Sequence, residues 1–382
     1  MGAFQMQALS RSLLAYDMTA DPWITGVVGV GWVPSLTAFS LFGSMIGDRF
    51  DRRTVLLLTH LGMAFTTLAV TLLLYLESLE WWHLFASSFA QGGLFAVQAP
   101  ARYAAVPMLV SPRRTSNALA LLALASTLMT MVAPAAAGVL YGAIGARGTF
   151  ATISAMLVAA TVANLPLQRL PPPGREATGG GGACNAAAAA IAGLRYALRN
   201  RTITLLLLQL VVGAVLIAPV RFLLNVPAEE LLLVGPSGAG ALLAASGIGG
   251  IAATIFVAGL RPGQPRGLLT LLTAVTGGAA LLLFAATRSY LVALLAMCVV
   301  GLGELAPRTL ATSLIVELSP EELRARVSGV TVLAFAATGI GQLSLGALMR
   351  NVGVAESLWI FAIVMTAVAS LLLLGRPVRQ LR

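Results

Sequence analysis

Residues 268–287 read LLTLLTAVTGGAALLLFAAT, twenty positions without one charged side chain. A helix needs about 20 apolar residues to cross about 30 Å of hydrocarbon. Lipid cannot satisfy a free backbone group, so a spanning segment closes its own hydrogen bonds as a helix or joins a barrel. The run lacks the alternation of apolar and polar positions that marks a barrel strand. Residues 358–375 behave the same way, with eighteen positions and no charge. The rest of the chain agrees: 58% of its 382 residues are hydrophobic and only 10% are charged, against about 25% charged in an average soluble domain. Such a chain cannot cover a water-facing surface, and it reads as an all-α integral membrane protein.

Working outward by the same criterion gives twelve spans, at about 3–20, 24–47, 54–76, 81–102, 117–146, 149–168, 202–226, 235–260, 268–287, 290–314, 328–349 and 355–375. The first is short: Asp17 ends it and Arg11 interrupts it. No basic region precedes its apolar stretch, as a signal peptide requires. The first span therefore reads as truncated, and the natural protein is expected to begin roughly 15–25 residues upstream.

An even number of spans puts both termini on one side, and arginine says which. The connectors carrying Arg49, Arg52, Arg53, Arg113, Arg114, Arg169, Arg195, Arg199, Arg261, Arg266, Arg324, Arg376 and Arg379 share one face. The opposite connectors hold Asp17, Asp21, Glu77, Glu80, Glu229, Glu230 and Glu356, with Arg147, Arg288 and Arg350. The arginine-rich face is expected to be the cytoplasm. This gives a multi-pass protein of a bacterial inner membrane with a cytoplasmic C-terminus. Trp23, Trp81, Trp82 and Trp359 lie near span ends, as interfacial aromatics do.

Several functions are excluded by residue type. The net charge of +10 comes with arginines confined to short connectors, which is a membrane signature and not a nucleic-acid one. There is no lysine, so neither a phosphate-loop lysine nor a pyridoxal Schiff base exists. The four glycines at 179–182 then read as linker. His60 and His83 are the only histidines and lie far apart, so no metal cluster or His-dependent triad is visible. Cys184 falls in the linker and Cys298 in a span, an arrangement unsuited to a disulfide. No enzyme activity, cofactor or metal is expected.

The chain also reads as two halves. Residues 171–190 are rich in Pro, Gly and Ala, and 191–201 mix apolar residues with Arg195, Arg199 and Arg201, as an amphipathic surface helix would. This places a six-helix bundle at 1–168, a linker at 169–201 and a second bundle at 202–382. The halves echo one another. Ala99-Pro100, Ser111-Pro112 and Gly138 recur as Ala306-Pro307, Ser319-Pro320 and Gly346, the last two pairs at one offset and the first slipped by one residue. Parallel six-span repeats related by a pseudo-two-fold axis place substrate near midplane between the halves.

The connector between spans two and three reads Gly43-Ser44-Met45-Ile46-Gly47-Asp48-Arg49-Phe50-Asp51-Arg52-Arg53. It resembles the signature loop of the major facilitator superfamily: a glycine, then Asp-Arg, then Gly or Asp and two basic residues. The resemblance implies a conformational latch made by Gly43, Gly47, Asp48, Arg49, Asp51, Arg52 and Arg53, with Asp48 capping span eleven near Val327. A carboxylate there is favoured by the helix dipole by about 0.3–1 kcal/mol. Two further stretches, Pro100-Ala101-Arg102 with Val106-Pro107 and Glu322-Leu323-Arg324-Ala325-Arg326-Val327, resemble the branch that holds enterobactin and macrolide exporters. Ala133-Pro134-Ala135-Ala136-Ala137-Gly138 is similar to the exporter motif of span five, with Ala133 and Ala137 in place of two glycines.

Polar groups inside spans are the functional candidates. Gln7 and Arg11 share a face of span one, Gln91 and Gln98 a face of span four, and Gln209 lies in span seven. The resemblance implies that spans one, four, seven and ten line the central cavity, which makes these five the expected substrate-binding residues. Interhelical hydrogen bonding is the competing role for each glutamine. Glu304 in span ten is the expected proton-coupling acid, with an ion pair to Arg308 one turn later as its rival role. Arg221 and Asn225 read as interfacial.

The expectation is a monomeric secondary transporter that exports a small amphipathic molecule of drug or siderophore class by proton antiport with alternating access. Its partners are then the substrate, protons and the bilayer. An importer or uncoupled facilitator of the same fold, and a truncated membrane protein that does not transport, are the alternatives.

Overall fold

The structure is a computed structural model that describes residues 2–39, 51–166, 193–261, 263–374, 378 and 381. The described residues are helical almost throughout. Helix α1 is Gly2–Thr19 and α2 is Pro22–Val30, with helix resuming over 32–39; α3 is Arg52–Tyr75, α4 Trp81–Leu109 and α5 Thr115–Asn164. In the second half, α6 is Arg201–Leu216, α7 Ala218–Phe222, α8 Asn225–Glu230, α9 Gly235–Ala258, α10 Arg266–Ala286, α11 Tyr290–Glu317, α12 Arg324–Ala336, α13 Thr338–Asn351 and α14 Val354–Leu374.

These helices make twelve crossings in two bundles of six. Helix α5 supplies two of them, because its 50 residues break at Gly145, whose φ of 68° and ψ of −177° are non-helical. Only glycine enters that region of backbone space without strain. Seven described segments, among them α3, α9, α10, α11 and α14, are individually long and apolar enough to cross a membrane. Large apolar side chains point outward along them: Leu58, Phe65, Ile255 and Leu371 are each more than 60% exposed. A water-soluble surface does not carry so many, whereas hydrocarbon solvates them.

Helix starts follow local chemistry. Asp21 caps α2 by accepting from the Trp23 amide at 2.8 Å, with Pro22 at the first position, where its missing amide hydrogen costs nothing. Asn200 caps α6 by accepting from Thr202 and Ile203. Crossing seven is less regular than a continuous span over 202–226. It bends after Leu216 and again after Phe222, because Pro219 and Pro227 stand near the starts of α7 and α8 and proline cannot continue a preceding helix without a kink.

Among the described residues the bundles meet where α1 lies against α7 and α8, α2 against α13, and α5 against α9. Two of these contacts rely on glycine. A Cβ on Gly138 would stand 2.5 Å from the Pro236 carbonyl oxygen and 2.9 Å from Gly240 Cα. A Cβ on Gly346, its counterpart in the repeat, would stand 2.8 Å from the Pro22 carbonyl oxygen. The repeated glycines thus do the same job in both halves: each lets a helix of one bundle lie directly on the backbone of the other.

Candidate functional site

Arg11, Arg221 and Glu304 meet between the bundles. One cavity of about 330 Å³ is lined from the first bundle by Phe4, Arg11 and Trp32, and from the second by Arg221, Phe222 and Glu304. A second of about 720 Å³ shares Ala218, Glu304 and Arg308 with it and continues past Gln209 to Thr312 and Ser313, towards the arginine-rich end. Both volumes fall in the usual range of about 300–1,000 Å³ for small-molecule sites.

Glu304 stands where the two cavities join. Its Oε2 and Oε1 accept from Arg221 Nη1 at 3.3 and 3.5 Å. Its carboxylate is therefore paired across the bundle from α11 to α7. The sequence reading put Arg221 at the interface and named Arg308 as the partner of Glu304. The bend at Pro219 instead turns Arg221 inward, while Arg308 lies within electrostatic reach of Glu304 along the same helix. Asn225 is likewise inside and is 1% exposed.

Arg11 is 5% exposed. Its Nε donates to the Gln7 carbonyl at 3.3 Å, and its Nη1 is buried without a hydrogen-bond partner. Among the described residues it belongs to no ion pair. Gln209 lines the larger cavity, and its Oε1 is also buried without a partner. Gln7, Gln91 and Gln98 do not line these two cavities. Gln7 donates to Thr67 Oγ1, and Gln91 lies 3.4 Å from the same hydroxyl. Gln98 contacts the His60 ring at 3.2 Å. These contacts bind α1 and α4 to α3.

Aromatic pairs complete the smaller cavity. Phe4 of α1 stacks on Phe95 of α4 with centroids 4.7 Å apart. Trp32 faces Phe222 across the bundles at 5.9 Å. Sequence reasoning missed these four rings, because isolated aromatics in apolar spans carry no signal of their own.

The acidic end is tied shut. The Ser12 hydroxyl donates to Asn225 Oδ1 at 2.6 Å, and Asn225 Nδ2 donates back to the Ser12 carbonyl at 3.1 Å. Tyr16 donates to Glu230, and Asp21 pairs with Arg350 at 3.2 Å. Each contact joins one bundle to the other. Glu229 lies beside this seam; burial, then Asp17, then Glu230 push its carboxyl above the ordinary carboxylate range.

At the other end, Gly43, Gly47, Asp48 and Arg49 of the expected latch lie outside the described residues. Asp51 accepts from Thr54 at 3.3 Å, Arg52 donates to the Ala104 carbonyl at 3.2 Å, and Arg53 donates to the Leu165 carbonyl at 2.6 Å. The two arginines tie the start of α3 to α4 and to the end of α5.

A family model described as Major Facilitator Superfamily matches residues 3–341. No curated relative matches the chain. Among solved structures, the nucleoside transporter NupG superposes with a TM-score of 0.73 at 12% identity, covering 97% of this chain and 98% of that one. A POT family transporter in complex with 5-aminolevulinic acid gives 0.72 at 14%, covering 98% and 94%. A bacterial homolog of the human lysosomal transporter Spinster, in an inward-facing and unoccupied conformation, gives 0.68 at 14%, covering 98% and 95%. At these identities the likeness is one of fold.

Proposed function

The chain belongs to the Major Facilitator Superfamily and is a multi-pass membrane transporter, not an enzyme, and from that premise we propose that it is a secondary active exporter of a small amphipathic molecule. The observation that carries the reading is the cavity between the bundles, lined by Arg11, Arg221, Glu304 and four aromatic rings. The arginine-rich end is the cytoplasmic face, of a bacterial inner membrane, and the protein works as a monomer. Residues 1–168 and 202–382 are the moving bundles and 169–201 their linker. The contacts Ser12–Asn225, Tyr16–Glu230 and Asp21–Arg350 close the outer side, so this conformation takes substrate from the cytoplasm. Breaking them and closing the inner side completes the cycle.

Within this reading Arg11 and Gln209 touch substrate. Gln7 holds Arg11 through its carbonyl, and Gln91 and Gln98 fix α4 against α3. Glu304 couples protons. When it is protonated, its tie to Arg221 weakens and the guanidinium is released to the cavity; when it is ionised, the pair reforms. A small molecule of siderophore or drug class suits an aromatic, charged cavity of this kind.

The test is flux in proteoliposomes with an imposed proton gradient and a panel of radiolabelled amphipathic compounds. Accumulation that collapses with a protonophore is expected. Glu304→Gln is expected to lose gradient-driven accumulation and to keep substrate exchange. Full gradient-driven accumulation by the Gln variant overturns the coupling role. Accumulation in the direction of proton flow makes the protein an importer.

A further inference from the structure

One arginine of the inter-bundle cavity meets no carboxylate among the described residues. Arg11 and Arg221 line it together with Glu304. Glu304 is engaged by Arg221, and Arg11 keeps a buried Nη1 with no hydrogen-bond partner. A guanidinium inside a membrane bundle is costly unless an anion or a set of acceptors meets it. The described residues provide Arg11 with one backbone carbonyl and no carboxylate. A counter-anion from outside the chain would meet the remaining demand.

The apolar part of the same cavity narrows the choice. The stacked Phe4–Phe95 pair and the Trp32–Phe222 pair present flat faces within it. A planar guanidinium beside aromatic rings suits a ligand with a flat body and a forked acidic group, since a carboxylate accepts two parallel N–H bonds from one arginine. A volume of about 330 Å³ holds a molecule of one or two fused rings. We infer that the substrate of this protein is an aromatic organic anion, whose acidic group binds Arg11 and whose ring lies among Phe4, Phe95, Trp32 and Phe222.

The inference rests on the transporter reading and adds the chemistry of what is carried. It also gives Glu304 a second consequence. An ionised Glu304 offsets part of the cavity's positive charge and opposes anion binding through space. A neutral residue at 304 therefore favours the anion.

Equilibrium binding to the purified full-length protein in lipid nanodiscs tests this with three probes of one shape: 2-naphthoate, 2-naphthamide and 2-naphthylmethylammonium. The anion is expected to bind about tenfold or more tightly than the amide, as a charge-assisted bond to a buried arginine gives, and the ammonium more weakly than the amide. Arg11→Gln is expected to erase the anion's advantage, Arg11→Lys to restore part of it, and Glu304→Gln to tighten 2-naphthoate. The comparison of probes on the unaltered protein needs no variant to fold. Ammonium binding equal to or tighter than naphthoate overturns the inference, as does failure of all three probes to bind, or an anion preference unchanged in Arg11→Gln. Exchange of radiolabelled probe across proteoliposomes separates the two claims. Anion binding without exchange contradicts transport and leaves the site standing. Exchange of the ammonium in place of the anion contradicts the substrate class and leaves transport standing.

Discussion

Gly138→Val should open the acidic end of the protein. In the described conformation a Cβ on Gly138 would lie 2.5 Å from the Pro236 carbonyl oxygen and 2.9 Å from Gly240 Cα, whereas ordinary contact begins at 3.4 Å. The overlap with the oxygen is thus 3.4 less 2.5, or 0.9 Å, before the two valine methyl groups are added. The obstructing atoms are backbone in α9, so no side chain can rotate away. Overpacking of this kind costs about 1–3 kcal/mol. The cost falls only on conformations in which α5 lies on α9 at this end. At about 1.4 kcal/mol per tenfold, the population should move by a factor of about 5 to about 150 towards the state open at the acidic end. Spin labels at Ser78 and Leu233, both exposed on acidic-side connectors of opposite bundles, would read the change as a longer distance population. Gly142→Val is the control, because a Cβ there meets nothing within 4 Å. A monodisperse Gly138→Val protein with the distance distribution of the unaltered protein would show that the contact of α5 with α9 does not hold the acidic end closed.

Asn225→Leu removes both hydrogen bonds to Ser12, a loss of about 0.5–1.5 kcal/mol for each; the same label pair should show a smaller shift in the same direction, and no shift would show that the seam is held elsewhere. Glu229 has its carboxyl raised in the closed state, by burial and by Asp17 and Glu230. Closure therefore takes up a proton: its contribution to the closed state is present at low pH and lost as pH rises through the raised value. Distance populations titrated upward from the ordinary carboxylate range should move towards the open state, and Glu229→Gln should flatten that part of the profile; an unchanged slope in the variant would assign the titration to another group. Asp48→Asn should weaken closure at the arginine-rich end and raise the population closed at the acidic end, read by cysteine labelling on both faces; unchanged labelling at normal expression would count against the latch.

The crossings were legible because lipid leaves a helix little freedom of composition. A charge-free run such as 268–287 has one reading, and α10 covers nearly that range. The repeat was legible from Gly138 and Gly346, although their shared role at the bundle contacts needed coordinates. The site was harder. Arg11, Gln209 and Glu304 stand out as polar groups in apolar spans, and the structure brings Arg11 and Glu304 to one cavity and Gln209 to the adjoining one. Gln91 and Gln98 carry the same sequence signal, yet they meet Thr67 and His60 on α3. A helical wheel cannot say which neighbour a face meets. Arg221 was misread because span seven was taken as continuous to 226; the bends near Pro219 and Pro227 change the direction of everything after Leu216. The rings of Phe4, Phe95, Trp32 and Phe222 come from four different crossings and share no motif.

Alternating access requires that one cavity be reached from each side of the membrane in turn. Gly213 lines the larger cavity, and a Cβ there meets nothing within 4 Å, so Gly213→Cys in a background lacking Cys184 and Cys298 reports access without distortion. A membrane-impermeant maleimide should label this cysteine from the arginine-rich side in the otherwise unaltered protein. Adding Gly138→Val should create labelling from the acidic side and reduce it from the arginine-rich side. Labelling confined to one side in both proteins, with the Gly138→Val variant intact and monodisperse, would contradict alternating access.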